Sequence, residues 1–107
     1  METNDVNKVY EELINATELA QKAGVIRANT KATIETAVML SIANGEVVGK
    51  NERERNAAAY NLYKKEYEAK DVIEQDYKEK SNDLAIAQIR VNCVRDCIRV
   101  EELAKGE

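Results

Sequence analysis

Asn44-Gly45-Glu46-Val47-Val48-Gly49-Lys50-Asn51 is the stretch that decides the fold. Two glycines and two asparagines fall within eight residues, a density of turn formers found nowhere else in a chain of 107 residues that has no proline. Asn44-Gly45 reads as a helix stop, with Gly45 free to take the left-handed conformation. Asn51 reads as the start of the next helix. Its side chain can accept from the backbone three residues on, and Glu54 stands where a capping-box acid belongs. Glu52 and Glu54 also place negative charge at the positive end of the helix dipole. The expectation is an all-α chain, more than about 80% helical against the usual third. A helix over about 5–44, a loop over 45–51 and a helix over about 52–104 form a long antiparallel hairpin, a single domain over 1–107.

Outward from the loop, both arms carry helical periodicity. The first begins after Asn4 or Asp5, either of which can cap it. Val6, Tyr10, Leu13, Thr17 and Ala20 form one stripe. Leu19, Ala23, Ile26, Thr30, Thr33, Ala37 and Leu40 form its neighbour. Gly24 is a soft point costing roughly 1 kcal/mol relative to Ala; one continuous helix is expected, with a break at Gly24 as the alternative. The second arm has neither Pro nor Gly up to Ala104. Ala58, Leu62, Ala69, Val72, Ile73 and Tyr77 form one stripe, and Tyr60, Tyr63 and Tyr67 another. Acid-first pairs four apart, such as Glu66 with Lys70 and Glu74 with Lys78, support the helix. Ser81-Asn82-Asp83 is the one weak stretch, and continuity is expected through it.

Residues 84–104 differ from the rest. Leu84, Ala87, Val91, Val94 and Ile98 form one stripe; Ile86, Ile89, Cys93, Cys97, Val100 and Ala104 form a second. Positions 84 and 86 are about 200° apart on a helix, so the segment is apolar on two sides. A helix apolar on two sides is buried on two sides. Counted back from the loop, the first arm runs out opposite about residue 90, leaving this segment overhanging. The pattern therefore predicts self-association into a helical bundle, a dimer first, held by Leu84, Ile86, Ile89, Val91, Cys93, Val94, Cys97, Ile98 and Val100.

Composition narrows the chemistry. Hydrophobic residues make up 44%, but Phe and Trp are absent, so the core must be built from Ala, Val, Ile, Leu and Tyr. A net charge of -4 argues against a duplex-DNA binder. The lack of His removes the commonest general base and a common metal ligand. No segment approaches the 18 apolar residues of a membrane span, and the start lacks a basic region followed by an apolar one. The expectation is a cytoplasmic protein with no membrane contact, whose two cysteines are reduced thiols.

The remaining motifs have plain readings beside the chemical ones. Gly49-Lys50-Asn51 at a helix start can hold an anion or a partner carboxylate. It is not a nucleotide-binding loop: Gly45 to Gly49 is one residue short, Asn51 replaces the hydroxyl, and a helix precedes it. Cys93 and Cys97, four apart on an apolar stripe, are half of a tetrahedral zinc site that a dimer would have to complete. With no second pair and no His, core packing is the expected use. Asp71, Glu74, Asp76 and Glu79 lack the Glu-x-x-His pattern of a di-metal bundle and read as a solvated, ion-paired face. Tyr60, Tyr63 and Tyr67 can stack bases beside Arg53, Arg55, Lys64 and Lys65, but Glu52, Glu54, Glu66 and Glu68 cancel that charge.

The run Gly45-Glu46-Val47-Val48-Gly49-Lys50-Asn51-Glu52, continued by Arg53-Glu54-Arg55-Asn56-Ala57, resembles a group of small helical proteins of bacteriophages and prophages. These have a helical arm, a Gly-x-Val-x-Gly-Lys-Asn-Glu linker and a long Ala/Glu/Arg-rich helix. The likeness covers the whole chain in layout and about a dozen residues in detail; the two cysteines and the extra Tyr and Asn depart from it. It implies a phage accessory protein and supplies no catalytic residue. The resulting expectation is a non-enzymatic protein with no cofactor and no metal, acting in the host cytoplasm. It would engage another phage or host protein through Tyr60, Tyr63, Tyr67, Gly49, Lys50 and Asn51. Single-stranded nucleic-acid binding and a structural scaffold are the alternatives.

Overall fold

The computed structural model describes residues 3–106 and is 90% helical, with no strand among those residues. Helix α1 spans Thr3–Ala43, α2 spans Glu52–Leu62 and α3 spans Lys64–Lys105. α1 packs on α3, which makes the long helical hairpin that the loop predicts. α1 runs unbroken through Gly24, and α3 runs unbroken through Ser81–Asp83. Contacts cluster in two units: a terminal unit of Met1–Ala23 with Tyr77–Glu107, and a loop unit of Gly24–Asp76.

The terminal unit is an antiparallel helix pair. α1 turns Val6, Val9, Leu13, Ala16, Ala20 and Ala23 inward; α3 answers with Tyr77, Lys80, Leu84, Ala87, Val91, Val94 and Ile98. On both helices the steps alternate between three and four, the 3.5-residue repeat of a coiled-coil seam. Ala23, Ala87, Val91 and Val94 are the buried members. Their small volume makes the core thin, as the absence of Phe and Trp requires. Tyr10, expected on the inner stripe, is 39% exposed, and Val9 and Ala16 take the seam on either side of Leu13. Glu12 accepts from Arg90 at 3.1 Å across the pair. Nine residues separate Glu12 from Thr3 and Arg90 from Arg99, so α1 reaches past Ile98. The expected overhang beyond residue 90 is therefore corrected: α1 covers Val91, Val94 and Ile98.

The reason lies in the loop unit, where the hairpin closes farther along the second arm than Glu52. Asn44 N–H donates to Leu40 O at 2.9 Å, and Gly45 adopts φ +77°, which ends α1 in the left-handed turn expected there. Ser41 O then accepts from both Glu46 N–H and Val47 N–H, folding Val47 into the interior. Ala59, 1% exposed, is the closest-packed position of α2. Farther along, Arg27 donates to Glu74 at 2.7 Å, and Ile34 is buried.

The second arm is not one helix. It breaks at Tyr63, whose φ of -111° and ψ of 33° depart from helical values. The Tyr63 hydroxyl donates to Ala37 O at 3.2 Å and pairs with the buried Ser41 hydroxyl, tying the ring to α1. Tyr63→Phe should leave the Ser41 hydroxyl buried without its partner and cost about 1–2 kcal/mol. Adding Ser41→Ala should recover part of that loss in urea unfolding; additive losses would show that the two hydroxyls do not act together.

Candidate interaction surfaces

The Gly49-Lys50-Asn51 corner is built by its own sequence. Asn51 is extended and caps α2, its Oδ1 accepting from Glu54 N–H at 2.9 Å. The Glu54 carboxylate returns to accept from Lys50 N–H at 2.7 Å. This is a reciprocal cap shifted by one residue from the usual box, in which the acid reaches the capping residue itself. Arg55 folds back toward Gly49 O at 3.5 Å. Gly49 is required by space: a Cβ there would lie 2.6 Å from Arg55 N and 2.8 Å from Glu54 Cβ. Two N–H groups that an anion would use at this helix start, those of Lys50 and Glu54, are thus occupied by the chain itself. The Lys50 side chain remains exposed at the corner.

The three tyrosines do not share a surface. Tyr63 turns inward onto Ser41 and Ala37. Tyr60 and Tyr67 lie on either side of the helix break, their ring centroids 5.5 Å apart and tilted by 36°. Tyr60 is 46% exposed and Tyr67 half-buried, so Tyr60 is the most open of the three rings. Beside them a shallow cleft of about 350 Å³ runs between α1 and α3, lined by Thr30, Thr33, Ile34, Glu66, Ala69 and Ile73. Asn29 lines it as well, and Thr33 closes its hydroxyl on Asn29 O at 2.8 Å.

In the terminal unit the two apolar stripes of α3 separate. Leu84, Val91, Val94 and Ile98 are spent on the seam with α1. Ile86, Ile89, Cys93, Cys97 and Val100 face outward, joined by Leu103. Ile86 is 49% exposed, Ile89 60%, and Val100 and Leu103 65% each. The cysteines, expected in the core, are both exposed. The choice between stripes follows from spacing. The seam alternates three and four without error, whereas Ile89, Cys93 and Cys97 take two steps of four and drift off a 3.5-residue repeat. That alternation was the signal in the sequence that separates the two faces.

The acidic residues of α3 fall where a solvated face would put them. Asp71, Asp76 and Glu79 are exposed, while Glu74 reaches Arg27. No group of three or more His, Cys, Asp or Glu side chains within this chain is placed to hold a metal ion among the described residues. No helix among the described residues is long and apolar enough to cross a membrane. The chain matches no family model, no curated protein and no solved structure.

Proposed function

We propose that the protein is a self-associating, non-enzymatic accessory factor of the phage type, acting by protein–protein contact in the host cytoplasm. One observation carries this reading. The α3 face bearing Ile86, Ile89, Val100 and Leu103 is apolar and exposed, although the opposite face of the same helix is fully used. Large apolar residues gathered on one exposed face mark an interaction surface. That face holds the oligomer. Lys50 and Tyr60, both exposed in the loop unit, meet a phage or host protein, with Tyr60 supplying the rigid aromatic contact typical of interface hot spots.

The test is affinity purification from phage-infected host cells with the full chain and with a Tyr60→Ser/Lys50→Glu double variant. A protein retained by the parent should be lost by the variant, while the circular dichroism of the two is the same. An identical retained set for both sinks the surface assignment. The half-exposed ring of Tyr60, with Arg53, Lys64 and Lys65 in solvent, favours single-stranded nucleic acid as the second reading. It predicts an oligonucleotide gel shift that weakens steeply with salt. No shift at low salt removes it.

A further inference from the structure

Cys93 and Cys97 stand one helical turn apart in the middle of the outward α3 face, and both are exposed. Cysteine is among the residue types most often buried, so two exposed together on one face need a reason. We propose that they are half of a tetrahedral thiolate site for a zinc-class cation, completed by the same pair from a second copy of the chain. The inference rests on the self-association reading of this face and adds what joins the copies.

The spacing fits. Cys-x-x-x-Cys lies within the two-to-four-residue spacing of structural zinc sites. Cβ atoms of residues four apart on a helix lie about 5–6 Å from each other. Zinc–sulfur bonds of about 2.3 Å place two tetrahedral sulfurs about 3.8 Å apart, a closure that the two one-carbon side chains can make from that separation. A structural zinc takes four protein ligands. This chain has two cysteines and no histidine, and among the described residues no further His, Cys, Asp or Glu joins them. The two open positions call for a second identical pair.

The surroundings point to a second copy as the source. Ile86 and Ile89 precede the cysteines on the face, and Val100 and Leu103 follow them. A two-fold axis passing near the cysteine pair lays one apolar half on the other. Each sulfur gives up its proton to solvent as its bond to the cation forms, four protons for each cation bound.

The test uses the full chain, reduced and freed of metal, with cobalt(II) as the spectroscopic probe and zinc chloride as the ligand. Cobalt should give the intense visible absorption of a tetrahedral thiolate site, saturating at one cation for every two chains. Zinc should double the mass seen by light scattering, and a chelator should reverse the change. Cys93→Ser and Cys97→Ser should each lose both responses with unchanged helicity. A dimer that persists in chelator and in the serine variants leaves self-association standing and overturns the metal site. A chain that stays monomeric with zinc overturns both. Saturation at one cation per chain without a change of mass overturns the shared site.

Discussion

Val91→Asp should unfold the terminal unit, while Ile89→Asp, two residues away, should leave it intact. Val91 is 3% exposed on the seam stripe of α3, between Ala87 and Val94. Its stripe neighbours Ala87 and Val94 are apolar and buried, so burying a carboxylate there should cost about 4 kcal/mol. That is a large part of the roughly 5–15 kcal/mol that holds a typical domain together, and this core is thin. The loss relative to the parent should shrink as pH falls, because the buried carboxyl has its pKa raised and becomes neutral in acid. Ile89 is 60% exposed on the other side of the helix, where a carboxylate meets water. Ile89→Asp should therefore keep the thermal midpoint within a few degrees of the parent and act on assembly instead. Circular dichroism melts and light scattering on the two variants separate the faces. Equal unfolding by both would mean that the outer stripe is buried in the folded chain.

Gly49→Ala carries the second large effect. The added methyl would stand 2.6 Å from Arg55 N and 2.9 Å from Glu54 C, both backbone atoms that cannot turn aside as a flexible side chain does. Relief requires moving the start of α2, which breaks the Asn51–Glu54 and Glu54–Lys50 hydrogen bonds together. The expected loss is about 3 kcal/mol. Gly45→Ala is the informative companion. Nothing lies within 4 Å of its Cβ, so only the strain of a positive φ remains, about 1 kcal/mol. Urea unfolding should rank Gly49→Ala as the more damaging, and the reverse order would remove the close-approach argument.

Both effects sit where the sequence was most readable. The hairpin, the left-handed Gly45 and the Asn51 cap follow from local chemistry, since each depends on residues within one turn of one another. The two-sided character of 84–104 was also legible, because periodicity reports faces directly. What local signals did not carry was pairing. Tyr60, Tyr63 and Tyr67 have the spacing of one helical stripe, yet Tyr63 is drawn to Ser41, 22 residues away, and the helix breaks to allow it. The position of α1 along α3 was misjudged for the same reason. The loop and α2 absorb residues before the seam begins, and no count along an unbroken helix reveals that. For Cys93 and Cys97 the apolar stripe suggested interior packing, and only the strict three–four alternation of the other stripe shows which face α1 covers. At the corner, Gly49 serves the close turn and Asn51 the cap, while Lys50 and Tyr60 keep exposed side chains.

The ion pairs Arg27–Glu74 and Glu12–Arg90 between α1 and α3 bear on alignment. A seam of mostly aliphatic side chains at steps of three and four presents a similar surface after a shift of one heptad, and its aliphatic part alone selects one alignment only weakly. Displaced by seven residues either way, Arg27 would leave Glu74 for the level of Tyr67 or Ser81, and Glu12 would leave Arg90 for the level of Asp83 or Cys97. Each displaced alignment strands both charges, and one sets two carboxylates side by side. Exposed pairs of this kind add little to stability, about 0–1 kcal/mol each. Their contribution is discrimination: they act as the notches of a ratchet, favouring one position along the seam over those one heptad away.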